Sequence, residues 1–281
     1  MLSTHSNFIQ RFISAIFLTP LILFALVWSP WSYFFLFFYV VLLAMLEFYK
    51  LIKQAYVTPM RLYGILFGLL CYTATFAYYV QDHLSPSLGY AALLLLVCLP
   101  IIALYRRRFS NPFLDMAVTL LAVLYIAFPC SMLHQLAFFK GTYSYELIVG
   151  LLLIVWSQDI GAYFVGSTIG KRKLFERISP NKTWEGSIGG GICALIAGYS
   201  IPYVFHLFII PPWQWMAIAV LTIFTGTYGD LVASLLKRSV AAKHSGGTIP
   251  GHGGFLDRID SLLLTVPTVV AFLHISALWA L

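Results

Sequence analysis

The sequence predicts an all-α, polytopic transmembrane bundle of about nine spanning helices, with its N-terminus in the cytoplasm. Three observations predict it. Of 281 residues, 60% are hydrophobic and only 10% are charged, whereas a soluble domain carries about 25% charged residues. Mean hydropathy is +0.88, and the apolar residues fall in runs near the roughly 20 residues that cross a bilayer as a helix. The Lys and Arg residues also sort to alternate ends of these runs. No polar stretch is long enough to form a soluble domain, so residues 1–281 read as one integral-membrane domain. Within it, 1–140 reads mainly as scaffold and 141–281 carries the polar loops.

The first run, 12–29, follows Arg11 and superficially resembles a signal peptide. No small-residue cleavage site follows, and the run passes through Trp28 and Pro30 into the next, so it is expected to be a retained helix. Further spans are expected at 31–49, 62–80, 87–105, 113–131, 145–166, 187–207, 213–235 and 259–280. A turn at Ser29-Pro30-Trp31-Ser32 joins the first two, and Pro129 and Pro202 interrupt the fifth and seventh. With the N-terminus inside, every Lys and Arg except Lys140 falls in a segment on the cytoplasmic side. An error in the helix count would scramble that division, so it supports the count and the orientation together.

Several function classes drop out. The net charge is +7, but the aromatic residues lie in apolar runs rather than among a basic patch, so nucleic acid is not an expected partner. Cys71, Cys98, Cys130 and Cys193 form no close pair and read as small core hydrophobes. Gly166-Ser167-Thr168-Ile169-Gly170-Lys171 is one residue short of a P-loop and follows an apolar helix instead of a strand. Gly166/Gly170 and Gly186/Gly190 read instead as close-packing positions between helices. No Ser–His–Asp arrangement or HExxH pattern is visible.

Two inner loops, 167–186 and 236–258, are the longest, and they are rich in Gly, Ser, Asn, Thr and basic residues. Asp159 lies inside an apolar span, where a carboxylate costs roughly 2.5–3.5 kcal/mol to insert and by default marks a function. Asp230 repeats the situation near the end of the eighth span, and the two together suggest a shared cation site. In the second loop, Gly251, Gly253 and Gly254 let backbone N–H groups approach phosphate oxygens closely. The chain then enters a helix bearing Asp257 and Asp260, three residues apart on one face. That pair suits Mg²⁺, which takes one or two carboxylates together with phosphate oxygens and water. Taken alone, Asp257, Arg258 and Asp260 read equally well as a capped helix start with an ion-pair cluster. The first loop supplies Ser179, Lys182 and Trp184; Lys182 is a compact cation suited to phosphate, and Trp184 suits base stacking or interfacial anchoring. His252, between glycines, reads more often as a hydrogen-bonding loop residue than as a proton carrier.

At 234–260 the chain resembles the phosphatidate cytidylyltransferase (CDP-diacylglycerol synthase) family. Ser234, Lys237, Arg238, Lys243, Pro250, Gly251, His252, Gly253, Gly254, Asp257, Arg258 and Asp260 match its signature at the right spacing. Asp159-Ile160-Gly161-Ala162-Tyr163 and Ser179-Pro180-Asn181-Lys182-Thr183-Trp184-Glu185-Gly186 resemble its other shared block. Two positions depart: His244 stands where the family usually has Asp, and Ala233 where it commonly has Glu.

The resemblance implies that a phosphate oxygen of phosphatidic acid attacks the α-phosphorus of CTP at a site facing the cytoplasm. It implies catalytic roles for Asp230, Lys243, Asp257 and Arg258. Substrate binding falls to Ser179, Lys182, Lys237, Arg238, Gly251, His252 and Gly253. Mg²⁺ is expected on Asp230 and Asp257, with Asp260 and Asp159 as further members. The expected partners are CTP, phosphatidic acid and a bacterial-type plasma (inner) membrane, with a homodimer and a second, monovalent cation as further options. Three alternatives stand beside this reading: a catalytically impaired relative, a CTP-dependent polyprenol-type lipid kinase and a cation-coupled transporter.

Overall fold

The computed structural model describes residues 18–55, 57–81, 86–106, 111–240 and 254–278. Among these, eight helices are long and apolar enough to cross a membrane, and a shorter apolar helix precedes them. In chain order the helices are α1 (Leu18–Trp28), α2 (Pro30–Ile52), α3 (Arg61–Gln81), α4 (Pro86–Tyr105), α5 (Pro112–Ala122) and α6 (Phe128–Ala137). They continue as α7 (Glu146–Ile169), α8 (Trp184–Val204), α9 (Pro212–Ser239) and α10 (Leu256–Leu278). α5 and α6 form one span, Pro112–Ala137. The all-α polytopic class is therefore as expected, and the described part of the first expected span is α1.

Local chemistry explains the joins. Ser29 caps α2 in a reciprocal pair with Ser32, and Pro30 occupies the first helical position, where its missing N–H costs nothing. Ser32 Oγ also donates to the Ala25 carbonyl at 2.6 Å, fixing the α1–α2 turn. Pro129 was expected to interrupt the fifth span, but the helix runs through it. A π-helical turn at Val123–Ala127 precedes it; the wider turn absorbs the ring and the lost N–H that would break a regular α-helix.

The chain divides into two compact units. The first comprises 1–134 and 239–258. Tyr33, Val41, Met45, Phe48 and Tyr72 are buried in it, and the ring of His134 bonds Tyr33 Oη at 2.9 Å and the Tyr72 carbonyl at 3.1 Å. Asp115, at 1% exposure, accepts hydrogen bonds from both the backbone N–H and the hydroxyl of Thr58, each at 2.8 Å. Thr119 extends this network by accepting from the Met60 N–H at 2.9 Å, while its own carbonyl accepts from Tyr49 Oη. These bonds hold the segment that leads into α3. Asp115→Ala orphans two donors, so it should lower stability by about 2 kcal/mol, measurable as earlier thermal unfolding in detergent.

The second unit comprises 135–238 and 259–281. α7 and α8 pack backbone to backbone over much of their length. A Cβ on Gly190 would sit 2.6 Å from the Gln158 carbonyl oxygen, and one on Gly186 2.9 Å from that of Ala162. Gly166, Gly186 and Gly190 thus pack between helices as expected, whereas Gly170 is crowded by the Gly166 carbonyl of its own turn as well as by the Thr183 hydroxyl. Between α7 and α8 the expected loop contains a hairpin: β1 (Lys173–Phe175) pairs antiparallel with β2 (Ser179–Thr183), Lys173 opposite Thr183. Thr183 then caps α8 by accepting from the Gly186 N–H. Trp215 is fully buried, its indole N–H donating to the Leu207 carbonyl at 3.0 Å. All four cysteines are free thiols.

Candidate functional site

A polar cluster forms inside the second unit from α7, β2, α9 and α10. Asp159 lies at mid-length on α7, about 15 Å of helix rise from its Ile169 end. Asp230 lies on α9 and Asp260 near the start of α10. Asp260 is 7% exposed, and the charged groups acting on it are Asp230, Lys237 and Asp159. Its Oδ1 accepts from the Ser261 N–H at 2.8 Å. What brings α10 so near α9 is Gly229. A Cβ there would meet the Asp260 carbonyl oxygen at 2.5 Å and Ser261 Cα at 3.0 Å, so the bare glycine sets the approach of the neighbouring carboxylates.

Lys182 reaches the cluster from β2. Its Nζ lies 2.7 Å from Asp230 Oδ2 and also donates to the Thr227 carbonyl at 3.4 Å. Ser234, one helical turn beyond Asp230, donates to Asp230 Oδ1 at 3.4 Å. The pair is partly exposed, with side chains at 25% and 36%, so its value is orientation more than stability. Arg238 Nε donates to the Ile178 carbonyl at 3.3 Å, a second tie between α9 and the hairpin. Lys237 and Arg238 were expected in a loop. They stand instead on the last turn of α9, where cations complement the helix dipole.

The other expected residues fall differently. Ser179 opens β2, half-buried and paired with Phe175. Asp257 and Arg258 form the first turn of α10, within the first unit, and Asp257 Oδ2 accepts from the Gly254 N–H at 3.4 Å. Lys243, Gly251, His252 and Gly253, together with His244, lie outside the described residues. Ala233 is 1% exposed and packs as core.

Three polar residues escaped the sequence reading. Gln158, buried beside Asp159, donates from Nε2 to the Ile223 carbonyl and to Thr227 Oγ1, locking α7 to α9. Glu47, at 5% exposure on α2, accepts from the Leu256 N–H at 2.9 Å. Asp115 is the third. Each sits in an apolar span, so the insertion-cost argument that singled out Asp159 would have found Glu47 and Asp115 as well.

No group of three His, Cys, Asp or Glu side chains among the described residues is placed to enclose a metal ion. This donor set is nonetheless compatible with Mg²⁺, which is held by one or two carboxylates and completes its shell with water and phosphate oxygens. Chemically, the cluster sets carboxylates beside amines, an arrangement suited to holding an anion through a cation and direct ion pairs together.

The chain matches the model of the cytidylyltransferase family over residues 9–276. It is 34% identical over 230 residues to the phosphatidate cytidylyltransferase of Bacillus subtilis (strain 168), covering 80% of this chain and 82% of that one. It is 37% identical over 207 residues to that of Staphylococcus aureus (strain COL), covering 71% and 76%. Against the Staphylococcus saprophyticus enzyme of the same name it is 39% identical over 167 residues. That match spans 58% of this chain and 60% of the relative.

Proposed function

Because the chain belongs to the cytidylyltransferase family, we propose that it condenses CTP with phosphatidic acid, giving CDP-diacylglycerol and pyrophosphate. A phosphate oxygen of the lipid attacks the α-phosphorus of CTP. A new P–O bond forms, the bond from the α-phosphorus to the bridging oxygen breaks, and pyrophosphate leaves with that electron pair. The nucleophile is already an anion, so no strong general base is required. The difficulty is charge: two polyanions must approach, and negative charge builds on the leaving oxygen.

The observation that carries this reading is the gathering of Asp159, Lys182, Asp230, Lys237 and Asp260 from four elements of one unit. Lys182 and Lys237 offset phosphate charge directly, and Arg238, Lys243 and Arg258 add cations from the signature segment. Asp230 and Ser234 keep Lys182 aimed before substrate arrives, which spares reorganisation during reaction. Asp230 and Asp260 would hold Mg²⁺, which takes one or two carboxylates together with phosphate oxygens and water, with Asp159 and Asp257 as the further carboxylates of the signature blocks. When bound, Mg²⁺ neutralises the triphosphate and stabilises the departing oxygen. The acyl chains of the substrate stay in the bilayer, which the apolar helices require in any case. The Lys and Arg asymmetry supports a cytoplasmic N-terminus and a site on the cytoplasmic face of the plasma membrane.

The test is turnover by purified protein in mixed micelles with phosphatidic acid, radiolabelled CTP and Mg²⁺. Metal-dependent CDP-diacylglycerol and pyrophosphate are expected, with Asp257→Asn at least about tenfold slower. Folded protein without product would favour a second reading, a relative that binds without turnover, which Ala233 and His244 motivate. His244→Asp combined with Ala233→Glu would then regain activity.

A further inference from the structure

The segment that opens α10 carries Gly254, Asp257 and Arg258, and its backbone is anchored by a residue far away in sequence. Glu47 lies toward the C-terminal end of α2, five residues before Ile52 and three before Lys50. Its carboxylate is buried, and its Oε2 accepts the Leu256 N–H at 2.9 Å across 209 residues of sequence. Leu256 is the first residue of α10, and its amide is one of the helical donors that no residue of the helix itself can satisfy. A carboxylate at that end complements the helix dipole as well as the hydrogen bond.

The local backbone shows what the anchor fixes. Within the same turn, the Arg258 N–H donates to the Phe255 carbonyl at 3.0 Å, and the Gly254 N–H donates to Asp257 Oδ2 at 3.4 Å. Leu256 itself is 1% exposed, so its side chain and its amide are both held. The amide that Glu47 grips is therefore the one directly before Asp257. A shift there propagates into the orientation of Asp257 and Arg258, because a first helical turn without its cap frays.

We propose that Glu47 is a positioning residue for the nucleotidyl transfer, acting by capping the first turn of α10 and thereby fixing the direction of Asp257 and Arg258. The inference rests on the reading of the chain as a cytidylyltransferase, but the contact itself can be tested apart from it. A buried carboxylate on a membrane-spanning helix calls for a partner, and the Leu256 N–H is one.

The experiment compares wild-type protein, Glu47→Ala and Glu47→Gln in the same micelles. Hydrogen exchange at the Leu256 and Asp257 amides is followed beside steady-state kinetics in CTP. With Glu47→Ala, both amides exchange at least tenfold faster and kcat falls about tenfold, while KM for CTP changes less than twofold. Glu47→Gln, which retains a carbonyl oxygen able to accept the Leu256 N–H, recovers most of both. Unchanged exchange at these amides in Glu47→Ala overturns the capping role. So does a kcat that Glu47→Gln leaves as low as Glu47→Ala does. Faster exchange with unaltered kcat would make the contact structural only and defeats the proposal. A wild-type protein that exchanges slowly at α10 but forms no product fails the enzymatic reading instead, and the exchange arm still decides the cap.

Discussion

Asp260→Asn should reduce turnover by about 10²–10³-fold while leaving thermal stability unchanged or improved. The two halves of that expectation have separate causes. Asp260 is almost fully buried, and among the described residues two of the three charged groups acting on it, Asp230 and Asp159, are themselves acidic. A carboxylate in such company is repelled by its neighbours and deprived of water, so its charge does not serve the fold. The amide is nearly isosteric, keeps an oxygen to accept the Ser261 N–H and removes one negative charge from the cluster. A structural residue would therefore tolerate the change. A residue that holds Mg²⁺ against a triphosphate would not, since the amide is a much weaker ligand for a hard cation. Turnover and unfolding in detergent, measured on the same preparation, separate the two. Equal activity in the variant would remove Asp260 from the site.

Gly229→Val should abolish measurable turnover and destabilise the protein by about 3 kcal/mol. The added Cβ would lie 2.5 Å from a backbone oxygen and 3.0 Å from a Cα. Neither atom belongs to a flexible side chain that can swing away, so α9 and α10 must part. Separation moves Asp230 relative to Asp260, and a displacement of even 1 Å at a reacting centre costs on the order of 100-fold. Thermal unfolding and turnover check it together. A variant that unfolds early yet keeps full activity when folded would show that the spacing of these helices does not matter to the chemistry.

Hydropathy reveals the spans because it is an average over some 20 residues, and errors at single positions cancel. Where one residue decides, the pattern misleads. Pro129 alone argues for a break, but the π-helical turn before it is a property of backbone geometry that no composition reports. The hairpin at Lys173–Thr183 is hidden for a different reason. Ser179-Pro180-Asn181-Lys182 lacks the β-branched and aromatic residues of a typical strand, and the pairing is stabilised by its setting between α7 and α8. At the candidate site, Asp159 and Asp230 are legible because charge in an apolar run is conspicuous. The partnership of Lys182 with Asp230 joins β2 to α9, and only the fold reveals it. Glu47 had the same visible anomaly as Asp159 but lay in a half of the chain read as scaffold. Its partner is a backbone amide, which has no signature in sequence at all.

The 209-residue separation between Glu47 and Leu256 has a consequence for how the chain is made. At roughly 5–20 residues per second, the ribosome delivers Leu256 about 10–40 s after Glu47. α2 must enter the bilayer before the Leu256 amide exists for Glu47 to accept from, and it waits there while the intervening spans are synthesised and inserted. The ordering of the helix that begins at Leu256 is thus among the last events of biogenesis, and a chain truncated before α10 would lack the amide that Glu47 accepts from.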